Sequence, residues 1–273
     1  MSDRTKIEWA DASWSPFYGC NRVSEGCENC YAMNMAHRFN QPGRWGHRLT
    51  KRSRGGPIDW SGTIVRNDDN FDLPLEWKRG RGVFVCPSSD LFHHKITNDQ
   101  IAEVWAVMRA CPQHTFRVLT KRPERMAYTL AAVCPDPLPN VWVGTSVEHQ
   151  EAAQQRVPAL LRTPAAHHWL SLEPILERVV LELEWLVQTR EGGPVVRWVV
   201  VGGESGQGCR RTDVAAIRRV VRACALTGTP CFVKQLGRDP YDSDDNDIDV
   251  IVWHSKGGDP AEWPPEFRVR EMP

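Results

Sequence analysis

Three cysteines near the start of the chain have the spacing of a metal-binding loop. Cys20, Cys27 and Cys30 follow the pattern C-x6-C-x2-C, in a segment that also contains Gly19 and Gly26. Thiolates bind zinc and iron–sulfur clusters, and three of them on one loop can hold a metal without distant residues. The two glycines allow the backbone to wrap around it. The motif therefore predicts a metal centre at this loop.

The number of thiols favours a [4Fe–4S] cluster over zinc. A structural zinc site normally uses four ligands, and His37 is the nearest imidazole after the loop. Three cysteines leave one iron of a [4Fe–4S] cluster open, and the amine and carboxylate of S-adenosylmethionine can chelate that iron. The loop thus predicts a [4Fe–4S] cluster with S-adenosylmethionine, while zinc and purely structural thiols remain alternatives.

The other cysteines are predicted to be small core residues, because they stand singly, mostly in or beside apolar runs. They are Cys86, Cys111, Cys134, Cys209, Cys224 and Cys231. No segment has the roughly 18 apolar residues of a membrane helix, and the first residues lack the apolar core of a signal peptide. We therefore expect a cytoplasmic protein without membrane contact, in a compartment where disulfides are rare.

Short β-branched runs from residue 83 onward predict about six parallel strands. They span 83–86, 115–119, 141–143, 168–170, 197–201 and 231–233. Their starts lie about 26 to 34 residues apart, the length of a strand, a helix and two loops. Helices are predicted after the capping box of Thr97 and Gln100, from Pro123 onward, and over 213–226. The pattern indicates an α/β fold, a partial (β/α) barrel in preference to an open doubly wound sheet.

Polar side chains gather where the predicted strands end. The carboxyl ends of parallel strands meet at one face of a barrel, where barrel enzymes place their chemistry. The candidate cofactor-binding residues are Tyr31, Ser89, Asp90, Lys121, Ser146, Glu148, Glu173, Gly202, Gly203, Glu204 and Lys234. Gly202 and Gly203 permit close backbone approach, and Glu204 can accept from an ammonium or a ribose hydroxyl. Lys121 or Ser146 can hold a carboxylate.

The charge of the chain is balanced, with 34 Lys and Arg against 34 Asp and Glu. Binding to a polyanion therefore requires a local patch. One patch lies in a predicted Gly-rich loop, the basic insertion at 38–62. Its candidate nucleic-acid contacts are Arg44, Arg48, Lys51 and Arg52, with Trp45 or Trp60 to stack on a base. A solvated insertion is the alternative interpretation.

Most of the chain resembles the phage-associated three-cysteine-motif proteins, a largely uncharacterised family classed with the radical SAM superfamily. The matching stretches are 14–20, 26–31, 89–92, 119–123, 141–148, 170–174, 200–206 and 232–237. The resemblance implies the incomplete barrel of the radical SAM type. The usual superfamily loop is C-x3-C-x2-C and its Gly-Gly-Glu-like motif follows the second strand. Here the first gap is six residues, and Gly202–Glu204 follows one of the last strands.

The sequence predicts one domain over 1–237, with the cluster loop at 14–31, followed by an acidic linker and C-terminal tail at 238–273. The expected function is a radical SAM-type enzyme with a flavodoxin- or ferredoxin-type electron donor and an unidentified substrate, nucleic acid being one candidate. One alternative is a non-catalytic zinc or Fe–S module in a phage or host assembly. Another is a barrel enzyme using Glu173 and Lys234 as acid and base.

Overall fold

The computed structural model describes residues 5–52, 54–188, 192–206 and 208–273, and in them the chain forms an α/β fold. Seven parallel strands make up the main sheet. They are β1 Ala12–Trp14, β2 Gly82–Val85, β3 Thr115–Thr120, β4 Val141–Ser146, β5 His167–Leu172, β6 Val196–Gly202 and β7 Cys231–Gln235. The α-helices of these residues are α1 Tyr31–Arg38, α2 Leu73–Glu76, α3 Asn98–Ala110, α4 Pro123–Val133, α5 Gln150–Leu161, α6 Leu183–Leu186 and α7 Val214–Thr227.

The order of strands in the sheet is the order of strands in the chain, from β1 to β7. A doubly wound sheet instead reverses its strand order at a switch point. The topology therefore fits a partial (β/α) barrel and excludes the doubly wound alternative. All six predicted strands are present, and β1 is a seventh that the sequence pattern did not indicate; it pairs with β2 in parallel.

The predicted helix signals are confirmed. The Thr97 hydroxyl accepts from the Gln100 backbone N–H at 3.3 Å, and the Gln100 side chain accepts from the Thr97 N–H at 2.9 Å, which completes the capping box of α3. Pro123 occupies the first turn of α4. Helix α7 ends at Gly228, whose φ of 67° is the left-handed conformation that glycine adopts at low cost.

The chain divides into two compact units. Unit 1 comprises Met1–Val143 and Thr163–Ala166, and unit 2 comprises Gly144–Arg162 and His167–Pro273. The core of unit 1 includes Trp14 and Phe116, whose rings lie 5.9 Å apart. The core of unit 2 includes Trp169 and Trp198, with 5.3 Å between ring centroids.

Short strand pairs supplement the main sheet. In unit 1, Thr50–Arg52 pairs with Ile58–Trp60 and Phe17–Tyr18 pairs with Val65–Arg66, both antiparallel. In unit 2, Pro240–Asp242 pairs with Thr212–Asp213 and Ile248–Asp249. The insertion at 38–62, predicted as a loop, therefore contains a β-hairpin; residue 53 of it lies outside the described residues. Among the described residues, no helix is both long and apolar enough to cross a membrane.

Arginines pair with four of the six aspartates of the acidic run at 239–249, which was predicted as a linker. Arg218 pairs with Asp242 at 2.5 Å, and Arg178 pairs with Asp244 at 2.9 Å. Arg211 pairs with Asp249 and, at 3.5 Å, with Asp239. Hydrogen bonds between the short strands complete the anchorage.

Candidate functional site

The cysteine loop of unit 1 is fastened at both ends. Gly19, just before Cys20, forms a parallel bridge with Ser89, whose hydroxyl donates to the Gly19 carbonyl at 2.6 Å. Gly19 has a φ of 93°, and a Cβ there would lie 2.0 Å from the Thr63 carbonyl oxygen, so a side chain does not fit. At the other end, Cys30 is the N-cap residue of α1. The loop is therefore held at its start by the segment that follows β2 and at its end by helix α1.

The three thiols lie within electrostatic reach of one another. The pKa of the Cys20 thiol is raised to about 12, first by burial and then by the charges of Asp90, Cys30 and Cys27. Burial also raises the pKa of Cys30, and the charge of Cys27 adds to that effect. A metal bound here must therefore displace protons from Cys20 and Cys30.

Positive groups surround these sulfur atoms. The backbone N–H groups of Met33 and Ala32, in the first turn of α1, lower the pKa of the Cys30 thiol, as does the charge of Lys121. Arg122 has the same effect on Cys20. Cations and helix N-termini stabilise thiolates, so the surroundings offset part of the cost of ionising the two thiols.

Asp90 and Arg122 form a buried ion pair beside the loop. The Arg122 Nη1 lies 2.6 Å from Asp90 Oδ2, with side-chain exposures of 14% and 8%. The other Asp90 oxygen accepts from the Thr120 hydroxyl at 2.7 Å and the Phe92 N–H at 2.9 Å. The Arg122 Nη2 donates to Asn21 Oδ1 at 2.9 Å and to the Asn21 carbonyl at 3.2 Å. Arg122 therefore connects the ends of β2 and β3 to the residue that follows Cys20.

The donor set fits an iron–sulfur cluster or a zinc ion, although the side chains do not form a preformed metal site. Within the described part of the chain, no three His, Cys, Asp or Glu side chains are grouped closely enough to hold one ion. The thiols of Cys20, Cys27 and Cys30 nevertheless interact electrostatically, and the cations Arg122 and Lys121 act on Cys20 and Cys30. Metal binding requires these side chains to close on the metal and lose their protons.

Two residues of this neighbourhood were missed by the sequence reasoning. Cys86 is buried, as expected of a core thiol, but it follows β2 with a left-handed φ of 57°. Burial raises its pKa, and the charges of Asp90 and Cys20 raise it further, so Cys86 lies near Cys20. The sequence feature that could have indicated a role for Cys86 is its position at the end of a predicted strand.

His93 is the second missed residue. It is fully buried, and its Nδ1 accepts from the Lys95 N–H at 3.2 Å. Its Nε2 has no hydrogen-bond partner among the described residues. Burial, followed by the charge of Arg122, lowers the pKa of His93 to about 4, so the ring is neutral near pH 7.

Tyr31 and Lys121 are the remaining candidates in unit 1. Tyr31 directly follows Cys30 and is 57% exposed, and its hydroxyl donates to the Pro87 carbonyl at 3.0 Å. Lys121 is half-buried and acts electrostatically on Cys30. The structure thus brings together, in one unit, the three cysteines, Ser89, Asp90, Tyr31 and Lys121.

The other cofactor candidates lie in unit 2, where two of the three glutamates are held by arginine. Glu148 is fully buried and pairs with Arg156 at 2.8 Å; the same Arg156 nitrogen donates to the Ser146 carbonyl at 2.8 Å. Glu204 is paired with Arg210, whose Nη2 lies 2.8 Å from one carboxylate oxygen and whose backbone N–H donates to the other at 2.8 Å. The carboxylates of Glu148 and Glu204 were predicted to bind a ligand. In the structure, arginines already bind oxygens of both carboxylates.

Glu173 and Lys234 form the third charged group of unit 2. Their ion pair is 2.9 Å long, with side-chain exposures of 14% and 24%. A Cβ at Gly202 would lie 3.3 Å from the Glu173 Oε1, and one at Gly203 would lie 2.3 Å from the Thr212 hydroxyl. Gly203 is therefore required for close packing at this strand end, and a side chain at Gly202 would make only a tight contact.

Of the two tryptophans proposed to stack on bases, Trp60 is buried and Trp45 is half-buried. Trp60 is 4% exposed and belongs to an apolar cluster with Leu49 and Met33. Trp45 packs against this cluster, with its ring 5.1 Å from that of Tyr18. Arg44, Arg48, Lys51 and Arg52 are all exposed, as predicted. Burial of the Trp60 indole contradicts the stacking role for that residue, whereas stacking by Trp45 stays a prediction.

Comparison with known proteins gives a family without an assigned activity. No curated protein and no solved structure matches the chain. A family described as proteins of unknown function, DUF5131, matches residues 4–254, nearly the whole chain. The chain belongs to the DUF5131 family of proteins of unknown function.

Proposed function

We propose that the chain is a radical SAM-type enzyme in which Cys20, Cys27 and Cys30 bind a [4Fe–4S] cluster. The observation that carries the proposal is the group of three electrostatically coupled thiols on one loop, flanked by the buried Asp90–Arg122 pair. When bound, such a cluster supplies one electron to the sulfonium of S-adenosylmethionine, which breaks into methionine and a 5′-deoxyadenosyl radical. A flavodoxin- or ferredoxin-type protein is the expected electron donor.

The residues of unit 1 have distinct roles in this proposal. Arg122 and Lys121 offset the negative charge of three thiolates, because a cation near a thiolate lowers its pKa. Asp90 fixes Arg122 in place through their 2.6 Å contact. The exposed Tyr31 ring beside Cys30 offers an aromatic surface to the bound S-adenosylmethionine.

In unit 2, Glu173 and Lys234 are the best remaining ligand-contact candidates, since both are partly exposed and paired mainly to each other. We assign them to binding a polar group of the substrate. The assignment predicts that Glu173→Gln raises the substrate concentration needed for turnover while iron content stays unchanged. Loss of iron in this variant would contradict the assignment.

Anaerobic reconstitution followed by strong chemical reduction tests the enzyme proposal. The wild-type protein should release 5′-deoxyadenosine and methionine from S-adenosylmethionine, and Cys27→Ala should release neither. Cys134→Ala, a matched change of a cysteine outside the loop, should retain the activity. A fully loaded cluster that never cleaves S-adenosylmethionine would disprove the radical SAM assignment.

The position of Cys86 favours one alternative, a closed four-thiol site in a non-catalytic zinc or Fe–S module. Its thiol interacts electrostatically with Cys20 and would supply the fourth ligand of a structural metal site. Cys86→Ser separates the two possibilities. Unchanged iron content supports the open three-cysteine cluster, whereas loss of metal, or stoichiometric zinc in the wild-type protein, supports the closed site.

A further inference from the structure

We infer that the hairpin of unit 1 is a nucleic-acid-binding arm that presents the phosphate backbone of the substrate next to the cysteine loop. The basic arm is defined here as residues 38–62. That the bound nucleic acid is the substrate rests on the proposed function. Binding of nucleic acid to the hairpin does not require the cluster.

The first argument is charge. The six cations of the arm are exposed: Arg38, Arg44, Arg48, Lys51, Arg52 and Arg54. Its single acidic residue, Asp59, is already paired with Arg22 at 2.9 Å. Within the described part of the chain none of the six cations has an ion-pair partner. In a chain with no net charge, this leaves a concentrated positive surface.

The second argument is that the arm is held firmly. The Asn40 amide donates to the Thr50 carbonyl at 3.1 Å and the His37 Nδ1 lies 3.1 Å from the Thr50 hydroxyl, which ties the first strand to the end of α1. Helix α1 begins at Tyr31, directly after Cys30. On the second strand, the Arg22 guanidinium donates to the Ile58 carbonyl at 3.0 Å. Both strands are therefore fastened to the segment that carries the cysteines.

The third argument concerns Arg48. This residue has a left-handed φ of 62°, which is unfavourable for a side chain other than glycine and costs on the order of 1 kcal/mol. Its N–H donates to Asn40 Oδ1 at 2.8 Å, and its carbonyl accepts from the Ser61 hydroxyl at 2.7 Å. These bonds fix the backbone of Arg48, while its guanidinium has no partner among the described residues.

The chemistry of the surface favours a phosphate backbone over a membrane. Membrane-binding surfaces combine cations with exposed aromatic or aliphatic side chains. In the described residues of the arm no large hydrophobic side chain is exposed; Trp60 is buried and Trp45 is half-buried against the same apolar cluster. Cations without an apolar or base-stacking surface bind phosphates with little sequence preference and strong salt dependence.

The test is fluorescence anisotropy of the cluster-free protein with a labelled single-stranded oligonucleotide of about 20 nucleotides, with salt varied from about 50 to about 300 mM. The triple variant Arg48→Gln, Lys51→Gln and Arg52→Gln should bind on the order of tenfold or more weakly. The slope of log association constant against log salt should become shallower by about 2, since each lost phosphate contact removes about 0.7.

The matched control is Lys6→Gln, Lys78→Gln and Arg79→Gln, which removes three other exposed cations of unit 1. It should bind like the wild-type protein. The salt dependence of the wild-type protein is informative even if a variant fails to fold.

Three results would overturn the inference: no binding by the wild-type protein at low salt, equal weakening by the control variant, or binding to phosphatidylserine vesicles but not to nucleic acid. Binding that depends on the arm, without cleavage of S-adenosylmethionine, would support the arm and contradict the proposed enzyme function instead. The two proposals can therefore fail separately.

Discussion

The Asp90 carboxylate is almost completely removed from solvent, and its charge is acceptable only because donors surround it. One of its oxygens is bound by Arg122 and the other by Thr120 and Phe92. A buried carboxylate without a cation is costly, whereas an exposed ion pair contributes little. At this scale the stability of the site and its function depend on the same guanidinium, because Arg122 also acts on Cys20 and Asn21.

Replacing that guanidinium should therefore destabilise the protein. We expect Arg122→Gln to lower the free energy of unfolding by about 3 kcal/mol, since it leaves a buried carboxylate unpaired. Arg66→Gln removes an arginine that pairs with the half-exposed Glu103. This change should lower the free energy of unfolding by about 1 kcal/mol at most. Urea denaturation of the two variants measures the difference. Equal losses would show that burial of the Asp90–Arg122 pair has no energetic importance.

At the scale of elements, the cysteine loop depends on the turn that enters it. Gly19 has a positive φ and lies against the Thr63 carbonyl, so both its backbone and its missing side chain matter. Gly43 also has a positive φ, of 78°, but no atom lies within 4 Å of a Cβ built there. Comparing substitutions at the two glycines therefore distinguishes the effect of backbone strain from the effect of steric overlap.

Alanine substitution at these positions gives a matched pair. Gly43→Ala should cost about 1 kcal/mol of stability from the left-handed backbone alone. Gly19→Ala should cost about 3 kcal/mol because a steric overlap is added, and it should also lower the iron content of reconstituted protein. Chemical denaturation and iron analysis provide the two readouts. Full iron content in a destabilised Gly19→Ala protein would show that the turn does not position the cysteines.

Elements with a strong local signal were predictable from the sequence. The β-branched runs indicated β2 to β7, and the Thr97–Gln100 box indicated the start of α3. Strand β1 was missed because three residues carry no periodicity, and its pairing with β2 joins segments about 70 residues apart. The hairpin was missed because its first strand, Thr50–Arg52, has two exposed cations and no apolar alternation.

The site was predicted only in part for a similar reason. The cysteine spacing is local and identified the loop, whereas the partners of charged residues depend on the fold. Nothing in the sequence indicates that Asp90 binds Arg122, or that Glu204 binds Arg210. Trp60 of the basic arm was misjudged because an aromatic residue in a charged segment gives no indication of which side it faces.

The whole chain has equal numbers of positive and negative residues, but the charged groups of its two units differ in how they are paired. Among the described residues, the cations of the basic arm in unit 1 have no acidic partners, whereas four aspartates of the run at 239–249 in unit 2 pair with arginines. The acidic run therefore contributes to the stability of unit 2.

The pairing of Asp242 should appear in the pH dependence of stability. Hydrogen bonds from Arg218 hold the pKa of Asp242 below its usual value of 3.8. A carboxyl with a lowered pKa stabilises the fold above its unfolded-state pKa and loses that effect as the pH falls through the folded-state value. Below about pH 4, wild-type stability should therefore fall more steeply than that of Asp242→Asn. Parallel pH profiles in thermal denaturation would contradict this assignment.

The central claim is that three cysteines hold a [4Fe–4S] cluster with one iron open to S-adenosylmethionine. Electron paramagnetic resonance of the anaerobically reconstituted, reduced protein tests it most directly, recorded with and without S-adenosylmethionine. We predict the signal of a reduced [4Fe–4S] cluster that changes when S-adenosylmethionine is added, because the open iron gains new ligands. A cluster signal that S-adenosylmethionine leaves unchanged, or a protein that retains only zinc, would contradict the claim.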